Sequence, residues 1–187
     1  MKFHSDLDIS NFASLPRQDI KQYNETIETL ANSTLIISKE VLYYLSKSIN
    51  EIGTSNTVIH NDLLPFNIID TGTDKPLLTD FCSITISFPE SDLGRLLGDI
   101  NCKTEDSSDR YYPKKWFEEL FKFYIDLRIK ANPKINGKDV RRRVMFGMLW
   151  NYAGIVESNI KDNDLEKFDK WVNRNIIEME KVVKLLL

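Results

Sequence analysis

Cysteine is scarce in this chain, with only Cys82 and Cys102 among 187 residues. The two lack the spacing of a metal site and are too few for a disulfide framework, so neither device is expected to staple the fold. Long apolar runs are missing as well. The longest, Val144 to Trp150, falls far short of the roughly 20 residues a membrane span requires, and Met1-Lys2-Phe3-His4-Ser5-Asp6 lacks the apolar core of a secretory signal. A soluble, cytoplasmic protein with no membrane partner is expected. Basic charge is not in excess either. The 25 Lys and Arg residues face 28 Asp and Glu, for a net charge of −3 and a pI near 5.5, whereas recognition of a phosphate backbone wants a basic face. No nucleic-acid partner is expected. The one dense basic run, Arg141-Arg142-Arg143, lies in a helical pattern and reads as a solvated face.

What is present suits one domain over residues 1–187, since 42% of them are hydrophobic and a chain of this length can bury a proper core. Its organising stretch runs from Val58 to Asp92. His60, Asp62 and Asn67 form an H-x-D-x-x-x-x-N loop between two apolar β-type runs, Thr57 to Ile59 and Ile68 to Ile69, and Asp80 closes a third run, Leu77 to Thr79. Thr71-Gly72-Thr73-Asp74-Lys75-Pro76 is a breaker cluster, which predicts an antiparallel hairpin. With Asp70 opposite Leu77, Asn67 falls opposite Asp80. Side chains so opposed have Cβ atoms about 5 Å apart, close enough for the pair to grip one Mg²⁺, an ion that takes oxygen ligands and keeps several waters. Asp62, on the loop feeding the same strand, is placed to orient an incoming hydroxyl.

Helical patterns surround this stretch. Pro16 opens one with Ile20, Tyr23, Ile27 and Leu30 on a face, and Asn32-Ser33-Thr34 offers a cap for the next, Leu35 to Ile52, with Leu42, Leu45, Ile49 and Ile52 inward and Gly53 at its end. Phe81 is expected in the core and Cys82 as a small buried residue beside it. Ser83 to Pro89 reads as a β-rich or irregular link. Asp92 then caps a helix that buries Leu93, Leu96, Leu97 and Ile100. After a polar loop over 101–109, Pro113 opens a helix with Trp116, Leu120, Tyr124 and Leu127 on one stripe, stopped at Asn132-Pro133. A second helix, Lys138 to Ile160, turns in Val140, Val144, Met148, Ile155 and Ile160. The last carries Leu165, Phe168, Val172, Ile176, Met179 and Val183. The expected class is α+β and mainly helical, with a core over 57–100 and a helical part over 110–187.

The constellation resembles the catalytic core of the kinase fold and, within it, the aminoglycoside phosphotransferase and choline kinase group. His60-Asn61-Asp62-Leu63 is similar to the H-[GN]-D-x form of the small-molecule kinases, and Leu64 stands where protein kinases carry Lys. Asp92-Leu93-Gly94 falls where that group has a D-[IL]-[AG] helix start. The likeness is good from Val58 to Ile100 and holds only in outline elsewhere. It implies that Asp62 is the catalytic residue, that Asn67 and Asp80 hold Mg²⁺ on the phosphates of ATP or GTP, and that the acceptor is a small-molecule hydroxyl. His60 and Asp92 are then structural supports of the catalytic loop.

The same resemblance implies a missing lobe. A complete kinase needs an N-terminal β-rich lobe with a phosphate-covering loop and a strand Lys, yet Gly53 is the one glycine before His60. None of Lys2, Lys21, Lys39 and Lys47 lies in a strand-like run. Phe3-His4 is similar to the end of the helix after the interlobe hinge. The expectation is a kinase-like C-lobe with its small hairpin and no N-lobe, partnered by a separate N-lobe chain or by self-association. The alternative is a truncated, non-catalytic module. A cationic acceptor would want carboxylates, and Glu105, Asp106, Asp109, Glu118, Glu119 and Glu157 are available, although charged helix residues usually form solvated faces.

Overall fold

Three of the helices begin where a side chain supplies an acceptor for the first free amides, and the computed structural model describes residue 15 and residues 19–53, 57–73, 75–103, 114–162 and 165–187, with the side chains of 53, 102–103, 114 and 165–169 left aside. Asp19 caps α1 (Ile20–Asn32) through Oδ1, which accepts from the Lys21 amide at 2.9 Å. Pro16 lies outside the described residues. Ser38, rather than Asn32-Ser33-Thr34, serves α2 (Lys39–Gly53), its hydroxyl accepting from the Val41 amide at 3.2 Å. Asn136 caps α5 (Gly137–Lys161) in the same way, at 2.9 Å from the Lys138 amide. Such caps contribute about 1 kcal/mol each.

The core forms around α5, which packs against α1, α2, α3 (Glu90–Lys103), α4 (Lys114–Ala131) and α6 (Leu165–Leu186). Its buried residues are not one stripe. Val144 through Leu149 are all buried, and Tyr152, Ala153 and Val156 continue the burial, so the helix is apolar on nearly every side, as a central helix must be. Leu93, Leu96, Leu97 and Ile100 of α3 meet it, as do Val172, Ile176, Met179 and Val183 of α6. On α4 the buried face runs through Phe121 and Tyr124, leaving Trp116 at the surface.

Two glycines set how close α3 and α5 come. A Cβ on Gly94 would stand 2.5 Å from the Gly147 carbonyl carbon, and one on Gly147 would stand 3.0 Å from the Ser91 Cα. Those neighbours are backbone atoms that cannot swing aside. The basic run near the start of α5 is not simply solvated. Arg142 and Arg143 both engage the Glu51 carboxylate of α2, at 3.0 and 2.9 Å, and the Arg141 guanidinium lies over the Phe121 ring.

The strands form two nested antiparallel ladders. β1 (Thr57–Ile59) pairs with β4 (Thr85–Ser87), and inside that pair β2 (Ile68–Ile69) pairs with β3 (Leu77–Leu78). The inner register is Ile68↔Leu78 and Ile69↔Leu77, one residue away from the expected pairing of Asp70 with Leu77. Asp70 belongs to the turn instead. Its carboxylate accepts from the Gly72 amide at 2.8 Å, and Thr71 Oγ1 bonds the Lys75 carbonyl at 3.0 Å, so local side-chain bonds draw Asp70 out of the ladder. Asn67 consequently stands opposite Thr79, not opposite Asp80.

No helix among the described residues is long and apolar enough to cross a membrane.

Candidate active site

Nesting the ladders leaves two short irregular segments facing each other. One carries His60 to Asn67 outward from β1 to β2, and the other carries Thr79 to Ile84 back from β3 to β4. Each contains a non-glycine residue in the left-handed region, Asn61 (φ 63°) and Asp80 (φ 59°). Asn and Asp are the side chains that tolerate that conformation best.

Asp92 lies in the first turn of α3 and does not cap that helix. Its Oδ2 accepts the His60 amide at 2.8 Å and its Oδ1 accepts the Asn61 amide at 2.8 Å. Both acceptors of a 2%-exposed carboxylate are thus used by consecutive loop amides. His60 is fully buried, and its Nε2 is 2.7 Å from the Thr79 carbonyl. A carbonyl only accepts, so Nε2 carries the proton, and Nδ1 is buried without a partner among the described residues. The imidazole also packs against the Phe81 ring, with centroids 4.8 Å apart. It therefore grips the returning segment on both sides of Asp80.

Asn67 sits at the end of a 3-10 turn, Pro65–Asn67, with Pro65 supplying its first position. Its Nδ2 donates to the Asp62 carbonyl at 2.8 Å and lies 3.4 Å from Asp62 Oδ2. That donation fixes the amide orientation and leaves Oδ1, a hard oxygen ligand, without a hydrogen bond from the described residues. Thr79 donates its amide to the Asn67 carbonyl at 3.0 Å, which brings the next residue, Asp80, to the same rim. Two such oxygen donors fit Mg²⁺, which needs few protein ligands when phosphates and waters complete its shell. The described residues include no cluster of three or more His, Cys, Asp or Glu that could hold a metal by itself.

Phe81 and Cys82 depart from the sequence reading. The left-handed Asp80 is followed by a 3-10 turn, Phe81–Ser83, which rolls both side chains outward instead of continuing the strand. Phe81 is 41% exposed, and Cys82 is an exposed free thiol whose Sγ lies 2.7 Å from Asp80 Oδ1. The hydrogen bond to that carboxylate raises the thiol pKa.

One functional candidate was missed. Arg95 places Nε at 2.9 Å and a terminal nitrogen at 2.6 Å from Asp62 Oδ1, and reaches Asn151 Oδ1 of α5 at 3.3 Å. The signal was its spacing. Arg95 follows Asp92 by three residues, so both side chains leave the same face of α3 and meet the same loop.

Of the six carboxylates that a cationic acceptor could use, three are described, and of these Glu157 alone lies near this site. It lines a cavity of about 230 Å³ with Asn61 and Arg95, while Glu118 and Glu119 line other grooves along α4. Glu105, Asp106 and Asp109 lie outside the described residues. A larger groove of about 400 Å³ between α4, α5 and α6 holds none of the loop residues.

A loop braced by a helix carboxylate, with an Asn and a second Asp on facing segments, sits here in a mostly helical lobe of kinase-like fold. Two solved structures share that fold. One is the GDP complex of wild-type aminoglycoside 2'-phosphotransferase-IIIa, with 14% identity and a TM-score of 0.61 over 98% of this chain and 58% of that one. The other is choline kinase from Cryptosporidium parvum Iowa II, with 14% identity and a TM-score of 0.57 over 99% of this chain and 62% of that one. The chain spans about three fifths of the length of each. No family model matches the sequence, and no curated protein matches it.

Proposed function

We propose that this chain is the catalytic C-terminal lobe of a small-molecule phosphotransferase that moves the γ-phosphate of ATP or GTP to an acceptor hydroxyl. The observation that carries the reading is the Asp62–Asn67 contact on a loop whose amides are held by Asp92. Arg95 occupies Oδ1 of Asp62, and Oδ2, which takes only the long 3.4 Å contact from Asn67 Nδ2, keeps a lone pair to accept a hydrogen bond from the acceptor hydroxyl. As the acceptor oxygen bonds to the γ-phosphorus and the bond to the nucleoside diphosphate breaks, the hydroxyl proton passes late to Asp62. Asn67 Oδ1 and the Asp80 carboxylate would hold Mg²⁺, which neutralises phosphate charge when bound. His60 ties the two segments together, Asp92 holds the outgoing loop to α3, and neither touches a reactant.

Phe66, Ile69, Leu77 and Phe81 are exposed large hydrophobic residues on or beside the hairpin, a concentration that supports a covering partner on this rim, either a nucleotide lobe or a second copy. The phosphates would then be cradled by groups from outside the described residues, and the lobe alone should bind nucleotide weakly.

The test is relaxation of nucleotide protons by Mn²⁺, a measurement that detects millimolar complexes. Wild-type protein should enhance the effect of Mn²⁺-ATP or Mn²⁺-GTP, and Asp80→Asn should abolish the enhancement with melting temperature unchanged, whereas Asn67→Ala should abolish it with some loss of melting temperature because the Asp62 carbonyl loses its donor. Equal enhancement by wild type and Asp80→Asn would show that the nucleotide metal binds elsewhere.

A further inference from the structure

Resting on that reading, we infer that the cavity between α1, α3 and α5 is the acceptor site and that its acceptor is a small, uncharged polyhydroxyl compound of sugar or polyol type. The cavity abuts the proposed catalytic carboxylate, because Arg95 belongs both to its wall and to the Asp62 ion pair. Its volume of about 230 Å³ lies below the roughly 300–1,000 Å³ of drug-sized ligand sites, which suits a molecule of monosaccharide size.

Charge in the wall decides the class. The only two charged residues among the described lining are Arg95 and Glu157, and each is already compensated. Arg95 is 2.6 Å from Asp62 Oδ1, and Glu157 Oε1 is 2.6 Å from Lys161 Nζ while Oε2 accepts the Thr26 hydroxyl at 2.8 Å. A polyammonium acceptor would need carboxylates that the wall does not have to spare. What the wall does offer is hydroxyl and amide chemistry. Tyr23, Ser91 and Gln22 line the space, their hydroxyl and amide groups have no hydrogen-bond partner among the described residues, and Asn151 stands beside them. Burial raises the Tyr23 phenol pKa, keeping it a donor.

The aromatic part of the wall is fixed rather than adaptable. Trp150 and Tyr23 meet edge to face with centroids 4.3 Å apart, and the Trp150 indole N–H is turned away onto Ser48 Oγ at 2.6 Å. A ring held in that way can present its surface to the C–H face of a sugar while the polar groups take the hydroxyls. Aromatic rings also attract cations, so the paired charges and not the rings carry the distinction.

Saturation-transfer NMR on the purified chain, without nucleotide or metal, tests the proposal using neutral sugars and polyols of three to six carbons beside choline and kanamycin. A Cβ on Gly154 would meet nothing within 4 Å and Gly154 lines the cavity, so Gly154→Phe can start a ring from an open position in the wall while replacing a helix-weakening residue. At least one neutral probe should give a saturable signal that falls tenfold or more in Gly154→Phe, whose melting temperature should not drop. Choline and kanamycin should give no signal that this variant removes. Absence of every neutral probe, or a cation signal lost in Gly154→Phe, overturns the inference. Because no nucleotide is present, either result leaves the Asp80→Asn test of phosphate transfer to be judged separately.

Discussion

Replacing Asp92 by Ala removes one side chain and strands two amides. His60 N is wholly buried and Asn61 N partly so, and each donates at 2.8 Å to a separate Asp92 oxygen. An unpaired buried donor costs about 1–3 kcal/mol, and bonds to an ionised acceptor lie toward the upper end. Water can reach the half-buried Asn61 amide and recover part of its loss, so the expected destabilisation is about 3 kcal/mol. For a chain of this size that is a fall of roughly 6–12 °C in melting temperature, read by circular dichroism at neutral pH. Asp92→Asn sharpens the test, because its carbonyl can serve one amide while its NH₂ group confronts the other, and its melting temperature should fall between the two. If Asp92→Ala melts within a degree of the parent, the loop is held by other contacts and the bracing role assigned to α3 is wrong.

Three further outcomes follow from the packing. Arg128→Met should destabilise the fold by about 3–5 kcal/mol in urea titrations, because Glu90 is fully buried 3.1 Å from Arg128 and would keep an uncompensated charge. Adding Glu90→Gln should restore part of that loss, and no recovery would mean that packing rather than charge was removed. Gly94→Ala should cost about 1–3 kcal/mol through overpacking against the Gly147 backbone, whereas Gly154→Ala should be neutral or stabilising by up to about 1 kcal/mol. Glu157 raises the Lys161 pKa through their hydrogen bond, so the pair is intact at neutral pH and is released only as pH rises through the raised Lys161 value. Lys161→Met should therefore expose the Glu157 charge at pH 7 and introduce choline binding to the cavity, and a variant as indifferent to choline as the parent contradicts the charge compensation.

The elements most legible in the sequence were those in which one physical signal acted alone. The stripe Leu93, Leu96, Leu97 and Ile100 is buried throughout, and the β-type runs at Thr57 and Ile68 became strands, because apolar period dictates both. Register was harder. The hairpin slipped by one residue because the Asp70 and Thr71 side chains closed the turn early, a competition that alternation of apolar residues does not encode. Phe81 and Cys82 read as inward because their side chains are apolar, and the 3-10 turn that follows the left-handed Asp80 turned both outward. The Arg141-Arg142-Arg143 run read as solvated because its partner, Glu51, lies about 90 residues away on α2.

Arg95 went unnoticed for a related reason, since a lone Arg in a helix carries no chemistry until the fold supplies its neighbours. Its position explains why the first turns of α3 matter beyond their length. Asp92 fixes the loop backbone, Arg95 aims the Asp62 carboxylate, and Gly94 between them allows α3 to touch α5 at Gly147. From that contact α5 continues through Trp150 and Asn151 to Glu157, which form one wall of the cavity beside Arg95. Four consecutive residues, Asp92 to Arg95, therefore link the loop, the proposed catalytic carboxylate and the proposed acceptor wall. A displacement of α3 by even part of an ångström changes all three at once, so the close glycine contact is a condition for the site as well as for the core.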